Sequence, residues 1–161
     1  WLFAVDHVDV EILLHRQSII HSMVSYDDGS VIAQLGNPDM RTPIANALAW
    51  PERIESGVES LNLLQVSQLD FTLADDRRYP CLALARQAWR QGGDSMAVLN
   101  AANEVAVAQF LARQIRFTEI PKLINEVMER TTSKPVNDLD AILAADREAR
   151  RLTAELSGAR V

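Results

Sequence analysis

Apolar positions change their period along this chain. Val10 to Leu14 is a short apolar run broken only by Glu11, Ile19 to Tyr26 is rich in β-branched and aromatic residues, and Ser30 to Leu35 is another such run. Runs of this kind predict strands. Asp27-Asp28-Gly29 separates the last two. A two-residue type I′ turn needs positive φ at both central positions, which Asp-Gly tolerates, so the pattern predicts a hairpin. With Asp28-Gly29 at its centre, Tyr26 pairs with Val31, Val24 with Ala33, Ser22 with Leu35 and His21 with Gly36.

From residue 42 the period becomes helical. Thr42-Pro43 reads as a cap followed by proline at the first helical position. Ile44, Ala47 and Leu48 then recur until Trp50-Pro51. Residues 51–76 hold no sustained period and read as a connection with one extended piece, Leu69 to Thr72. Pro80 opens a second helix through Leu82, Ala85 and Trp89, and Gly92-Gly93 closes it. Asp94 or Ser95 caps a third, with a stripe of Met96, Leu99, Ala102, Ala106 and Phe110. Thr118 caps a fourth, in which Ile120, Leu123, Ile124, Val127 and Met128 form one face. Asn137 or Asp138 caps the last, with Leu139, Ile142, Leu143, Ala149, Leu152 and Leu156. The expected class is α+β: a β-hairpin or sheet remnant over residues 1–75, then a four-helix bundle-like domain over 76–161.

The chain has 161 residues and a formal charge of −6. An acidic balance argues against a nucleic-acid partner, because affinity for phosphates rests on clustered Lys and Arg. No run approaches the ~18 apolar residues of a membrane span. One cysteine excludes an internal disulfide and fits a reducing compartment such as the cytoplasm. The opening Trp1-Leu2-Phe3 lacks an initiator Met and a basic leader, and reads as a cut from something longer.

Chemistry-bearing patterns are few. His7, Asp9 and Glu11 would share a strand face, which reads as solvated surface before it reads as a metal site. Neither G-x-G-x-x-G nor a P-loop occurs. No G-x-S-x-G turn surrounds Ser18. Cys81 follows Pro80 at a helix start, and is expected as a buried structural thiol. Asn103, near an apolar stripe, is expected to fix helix register. The segment His15-Arg16-Gln17-Ser18-Ile19-Ile20-His21 is polar between apolar strands. By the hairpin count, His21 faces Gly36, so Ser18 and His21 should lie near Pro38 and Met40. That makes either an ordinary strand-to-helix connection or a rim for an anionic ligand.

His15 to Val24, Asp28 to Gly36, Pro38 to Ile44, Tyr79-Pro80-Cys81-Leu82 and Leu99 to Ala108 resemble the 1-deoxy-D-xylulose 5-phosphate reductoisomerase family, in order and over essentially the whole chain. The resemblance implies part of an NADPH-dependent enzyme that uses Mg2+ or Mn2+ to make 2-C-methyl-D-erythritol 4-phosphate in the non-mevalonate isoprenoid route. It implies the end of a catalytic domain whose sheet builds a homodimer, followed by the C-terminal helical domain. It places Ser18, His21, Pro38 and Met40 on the substrate and cofactor rim. It places the dinucleotide-binding glycines, the metal ligands and the phosphate-gripping groups before the matched segment. No catalytic acid, base or metal ligand is therefore expected in this chain, and the chain alone is expected to be inactive. Two positions depart from the pattern: Arg16 stands where the family often has Pro, and Asn46 where it often has His. The competing expectation is a non-catalytic module for dimerisation or helical docking.

Overall fold

A computed structural model describes residues 10–158. The described residues form two compact units, Glu11–Ala74 and a unit from Asp75 onward. His7 and Asp9 lie outside the described residues.

The first unit holds small antiparallel pairings. Strand β1 (Leu13–Leu14) pairs with β4 (Thr72–Leu73), Leu13 opposite Leu73. Strands β2 (Ile20–Ser25) and β3 (Val31–Leu35) form the expected hairpin. Its register differs by one from the sequence count, with Val24 opposite Ile32 and Met23 opposite Ala33. The Asp28 carboxylate explains the shift. It accepts from the Ser30 amide at 2.8 Å and the Ser30 hydroxyl at 2.6 Å, while Gly29 takes φ +84°. The result is a three-residue loop ending in a left-handed glycine, the next commonest hairpin connection.

Helix α1 (Arg41–Ala49) follows the hairpin. It begins one residue before Thr42, with Met40 at the cap position, and the Asp39 carboxylate just ahead of it accepts from the Arg41 amide at 2.9 Å. The apolar residues expected to bury α1 face outward: Ile44 is 52% exposed and Leu48 82%. The connection after α1 contains a turn of helix that sequence reading missed, α2 (Leu63–Val66), capped by the Asn62 side chain on the Leu64 amide. Its extended piece is Thr72–Leu73 rather than Leu69 to Thr72.

The second unit holds the main core. Helices α3 (Pro80–Gln91), α4 (Ser95–Leu111), α5 (Ile120–Arg130) and α6 (Leu139–Gly158) pack together. All five α5 positions of the expected face are buried, and Val127 is completely so. Thr118 does not cap α5. A 3-10 turn, Phe117–Glu119, precedes it, and the Glu119 carboxylate accepts from the Arg116 amide at 2.8 Å. In α4 the buried apolar residues are Val98, Ala101, Ala102 and Ala106, whereas Met96 is exposed. This helix is apolar nearly all round and touches α3, α5 and α6, so no single stripe marks its buried side. The polar tie between α4 and α6 is not Asn103 but Glu104, which accepts from Arg150 at 2.6 Å. In α6 the expected stripe holds from Ala149 through Leu156, while Leu139, Ile142 and Leu143 stay exposed. Asp138 caps α6 through the Ala141 amide at 2.8 Å. Asp138→Ala should therefore cost about 1 kcal/mol in urea unfolding, the usual value of a cap. An unchanged midpoint would show that this contact is not stabilising.

Candidate functional site

The polar segment after β1 is held from a distance. The His15 Nδ1–H donates to the Asp70 carbonyl at 3.0 Å, and its ring stacks on Phe71 with centroids 5.0 Å apart. The Gln17 amide donates to an Asp70 carboxylate oxygen at 2.9 Å and accepts from the Asp70 backbone N–H at 3.3 Å. Between them the chain turns, with the Ser18 amide bonded to the His15 carbonyl at 3.2 Å. Ser18 itself has φ +52°, a left-handed value that a non-glycine residue adopts only at some cost.

The turn delivers His21. A β-bulge lies between Ile20 and Ser22, so two residues of β2 oppose one of β3 there. Consequently the Ile19 carbonyl, rather than His21, bonds Gly36, at 3.0 Å. The bulge also overrides simple strand alternation and brings His21 to the side of Gln34. Its ring spans two oxygens: Nε2 donates to the Ser18 carbonyl at 3.0 Å, and Nδ1 lies 3.2 Å from the Gln34 side-chain oxygen. His21 is exposed, not a core histidine.

Gly36 leads into the loop carrying Pro38 and Met40, both exposed. Asp39 and Arg41 brace this loop through a fork of contacts between 2.7 and 3.1 Å. Arg41 also donates to the Gly57 carbonyl at 3.1 Å, and Asn37 to the Glu59 carbonyl at 2.7 Å. The structure thus joins Ser18 to His21 directly. It sets Pro38 and Met40 on the next loop, with no hydrogen bond to that pair among the described residues. Sequence reading missed Gln34, Asp70 and Gln17 as partners, because each acts across the fold rather than at a motif spacing.

The hydrogen bonds from Arg41 are the largest influence on Asp39 and hold its carboxyl down at about 2, against an ordinary 3.8. A carboxyl whose folded value lies below the unfolded one contributes fully above about pH 4, and this contribution fades as pH falls toward 2. Carbon-13 NMR of Asp39 should find a midpoint near 2. A midpoint near 3.8 would mean that the brace does not persist in solution.

Other candidates divide. Cys81 is exposed rather than buried, which corrects the expectation. Partial loss of water around its thiol pushes the thiol above its ordinary range. Asn46 lies half-buried in α1, with its side-chain oxygen unpartnered. Among the described residues no three His, Cys, Asp or Glu side chains come together as a cation site. No helix among them is long and apolar enough to cross a membrane.

Residues 35–152 match the family model described as the DXP reductoisomerase C-terminal domain. The 1-deoxy-D-xylulose 5-phosphate reductoisomerase of Stutzerimonas stutzeri (strain A1501) is 63% identical over 150 residues, covering 93% of this chain and 38% of that protein. The Pseudomonas aeruginosa (strain UCBPP-PA14) enzyme is 57% identical over 155 residues, covering 96% of this chain and 39% of that protein. The structure of the Zymomonas mobilis reductoisomerase in complex with NADPH superposes with a TM-score of 0.89 at 46% identity, over 97% of this chain and 41% of that one. A DOX-P reductoisomerase with fosmidomycin and magnesium gives 0.84 at 40% identity, over 98% and 41%. The chain thus spans about two-fifths of the length of these relatives. With its mixed α+β fold and its matching segments, this chain belongs to the DXP reductoisomerase family, which it matches through the C-terminal domain.

Proposed function

We propose that this chain works as the C-terminal part of an NADPH- and divalent-metal-dependent reductoisomerase that converts 1-deoxy-D-xylulose 5-phosphate to 2-C-methyl-D-erythritol 4-phosphate, a step of non-mevalonate isoprenoid synthesis. The observation that carries this reading is the 63% identity to a named reductoisomerase over 93% of the chain. Residues 1–75 are the end of the catalytic domain and residues 76–161 the helical domain. Mg2+ is the cation named in three of the related structures, and Mn2+ is the alternative. No group of three His, Cys, Asp or Glu among the described residues could hold a divalent cation, so in this reading its ligands belong to the rest of the enzyme.

In this reading Ser18, His21, Pro38 and Met40 are rim groups. Ser18 and His21 are seated by hydrogen bonds, which suits orientation of a bound substrate rather than proton transfer. Met40 is 70% exposed beside a braced loop, a surface suited to the flat, apolar end of a nicotinamide and to excluding water from it. Val24 and Ile32, paired across the hairpin and so on one face, are each more than half exposed, as is Tyr26, which follows two residues after Val24 on the same side. An apolar sheet face of that kind supports the further reading that a second copy pairs there, making a homodimer. The free thiol fits a cytoplasmic setting.

An exchange tests the assignment. This chain replaces the corresponding C-terminal segment of the Stutzerimonas stutzeri enzyme, and NADPH oxidation is followed with 1-deoxy-D-xylulose 5-phosphate and Mg2+. Turnover within about tenfold of the parent enzyme is expected. A folded exchange enzyme without turnover would refute the assignment.

A further inference from the structure

Ser18 holds a conformation that a serine does not favour, and among the described residues no hydrogen bond of its own side chain accounts for it. A strained backbone persists where its surroundings over-determine it. Here the surroundings belong to Asp70, more than 50 residues away. Its backbone N–H, its carbonyl and one carboxylate oxygen engage Gln17 or His15 at 3.3, 3.0 and 2.9 Å, so all three of its polar functions grip the two flanks of one turn. Its second carboxylate oxygen is taken by Gln68 at 2.6 Å, which aims the carboxylate. Phe71 stacks on the His15 ring and closes the other side of the grip. Beyond the turn, the Ser18 carbonyl seats the His21 ring. An uninterrupted series of hydrogen bonds and one peptide unit therefore runs from Asp70 through Gln17 to Ser18 and His21.

We propose that Asp70 is a positioning residue of the reductoisomerase: with Gln17 it fixes the left-handed Ser18 turn and so the placement of Ser18 and His21 toward the substrate. The inference rests on the rim role given above to Ser18 and His21. The carboxylate is ready for it, since the hydrogen bonds from Gln68 and Gln17 hold Asp70 below its ordinary range and keep it ionised at neutral pH. Nothing local in the sequence marks this role, because the two residues that Asp70 grips on the turn, Gln17 and His15, lie 53 and 55 positions away.

The exchange enzyme described above provides the test. Gln17→Ala removes both side-chain contacts with Asp70 while leaving the Asp70 main chain and Gln68 in place. Gln17→Ala and Asp70→Ala should each lower kcat about tenfold, with Mg2+ affinity unchanged, since a misplaced group costs orientation rather than ligands. Together they should cost no more than Gln17→Ala alone, because the carboxylate contact that Asp70→Ala removes is one of the two lost in Gln17→Ala. Asp70→Asn, which retains an accepting oxygen, should recover most of the rate. In a Ser18→Ala, His21→Ala background, Gln17→Ala should change kcat less than about twofold, an outcome that a merely structural role does not produce. Unchanged kcat in Gln17→Ala, or a full additional loss in that background, overturns the inference while leaving the rim reading intact. A Ser18→Ala, His21→Ala enzyme with parental kcat overturns both. If Asp70→Ala melts below the assay temperature, Gln17→Ala carries the decision alone.

Discussion

Gly93→Ala is expected to destabilise the helical unit by roughly 3 kcal/mol, combining the usual costs of a left-handed non-glycine residue and of overpacking. Gly93 has φ +55°, and a Cβ added there would stand 2.3 Å from the Lys134 carbonyl oxygen and 2.7 Å from Ser133 Oγ. Neither neighbour can easily move. Lys134 accepts from the Asp94 amide at 3.0 Å and returns its own N–H to the Asp94 carboxylate at 2.9 Å, while Ser133 donates to the Gly92 carbonyl at 3.0 Å. Asp94 is only 7% exposed. These contacts fasten the α3–α4 corner to the connection between α5 and α6, so the added methyl must break a closed set of bonds. Gly92 is the internal control. Its φ of +66° with ψ −155° is backbone that only glycine adopts freely, but a Cβ there meets nothing within 4 Å, so Gly92→Ala should cost the backbone strain alone, roughly 1–2 kcal/mol. Thermal unfolding followed by helical circular dichroism should separate the two, with Gly93→Ala lower by several degrees, on the order of 4–8 °C. Equal melting temperatures would mean that the corner is free to open.

The largest effect on activity is expected from separation of the parts. With NADPH, substrate and Mg2+ supplied, the isolated chain should show no turnover above the uncatalysed rate. Hydride transfer requires a held cofactor, and the rearrangement requires a Lewis acid. The proposed division of labour gives this chain the wall beside those groups. Its exposed apolar residues agree with a surface made to be covered: Leu48 is 82% exposed, Trp50 74% and Met40 70%, all in or beside α1. The same surface should make the isolated chain prone to association, which light scattering would detect. Sustained NADPH oxidation by the purified chain would show that the chemistry had been assigned to the wrong segment.

What could be read from sequence followed the range of the interactions. The α5 face was legible because one side of that helix is apolar and the other is not, so spacing alone identifies Leu123, Ile124 and Val127. In helix α4 the expected stripe holds at Ala102 and Ala106, with Leu99 and Phe110 packed against the core, but it includes exposed Met96 and leaves out Val98 and Ala101, because alanine and valine surround the helix and the choice of buried side belongs to three neighbouring helices. The hairpin was visible in its runs and its Asp-Gly, yet its register turned on whether Asp28 serves as a turn residue or as an acceptor for Ser30. That choice moves every partner by one. The bulge at His21 then adds a second shift that no local pattern marks. Ser18, His21, Pro38 and Met40 were proposed as a rim from the hairpin count and from resemblance. The corrected register still ties Ile19 to Gly36, so the two segments meet by a different pairing from the one expected. Asp70 was invisible, since its grip on Gln17 and His15 exists only once β1 and β4 have paired.

The most direct measurement is a pair of constants for His21→Ala in the exchange enzyme: kcat, and the Mg2+ affinity by titration. A group that orients substrate without holding the cation should lose roughly a hundredfold in kcat while the Mg2+ affinity stays within about twofold. A rate equal to that of the parent, or a collapse in Mg2+ affinity alongside the rate, would contradict the role assigned to this chain.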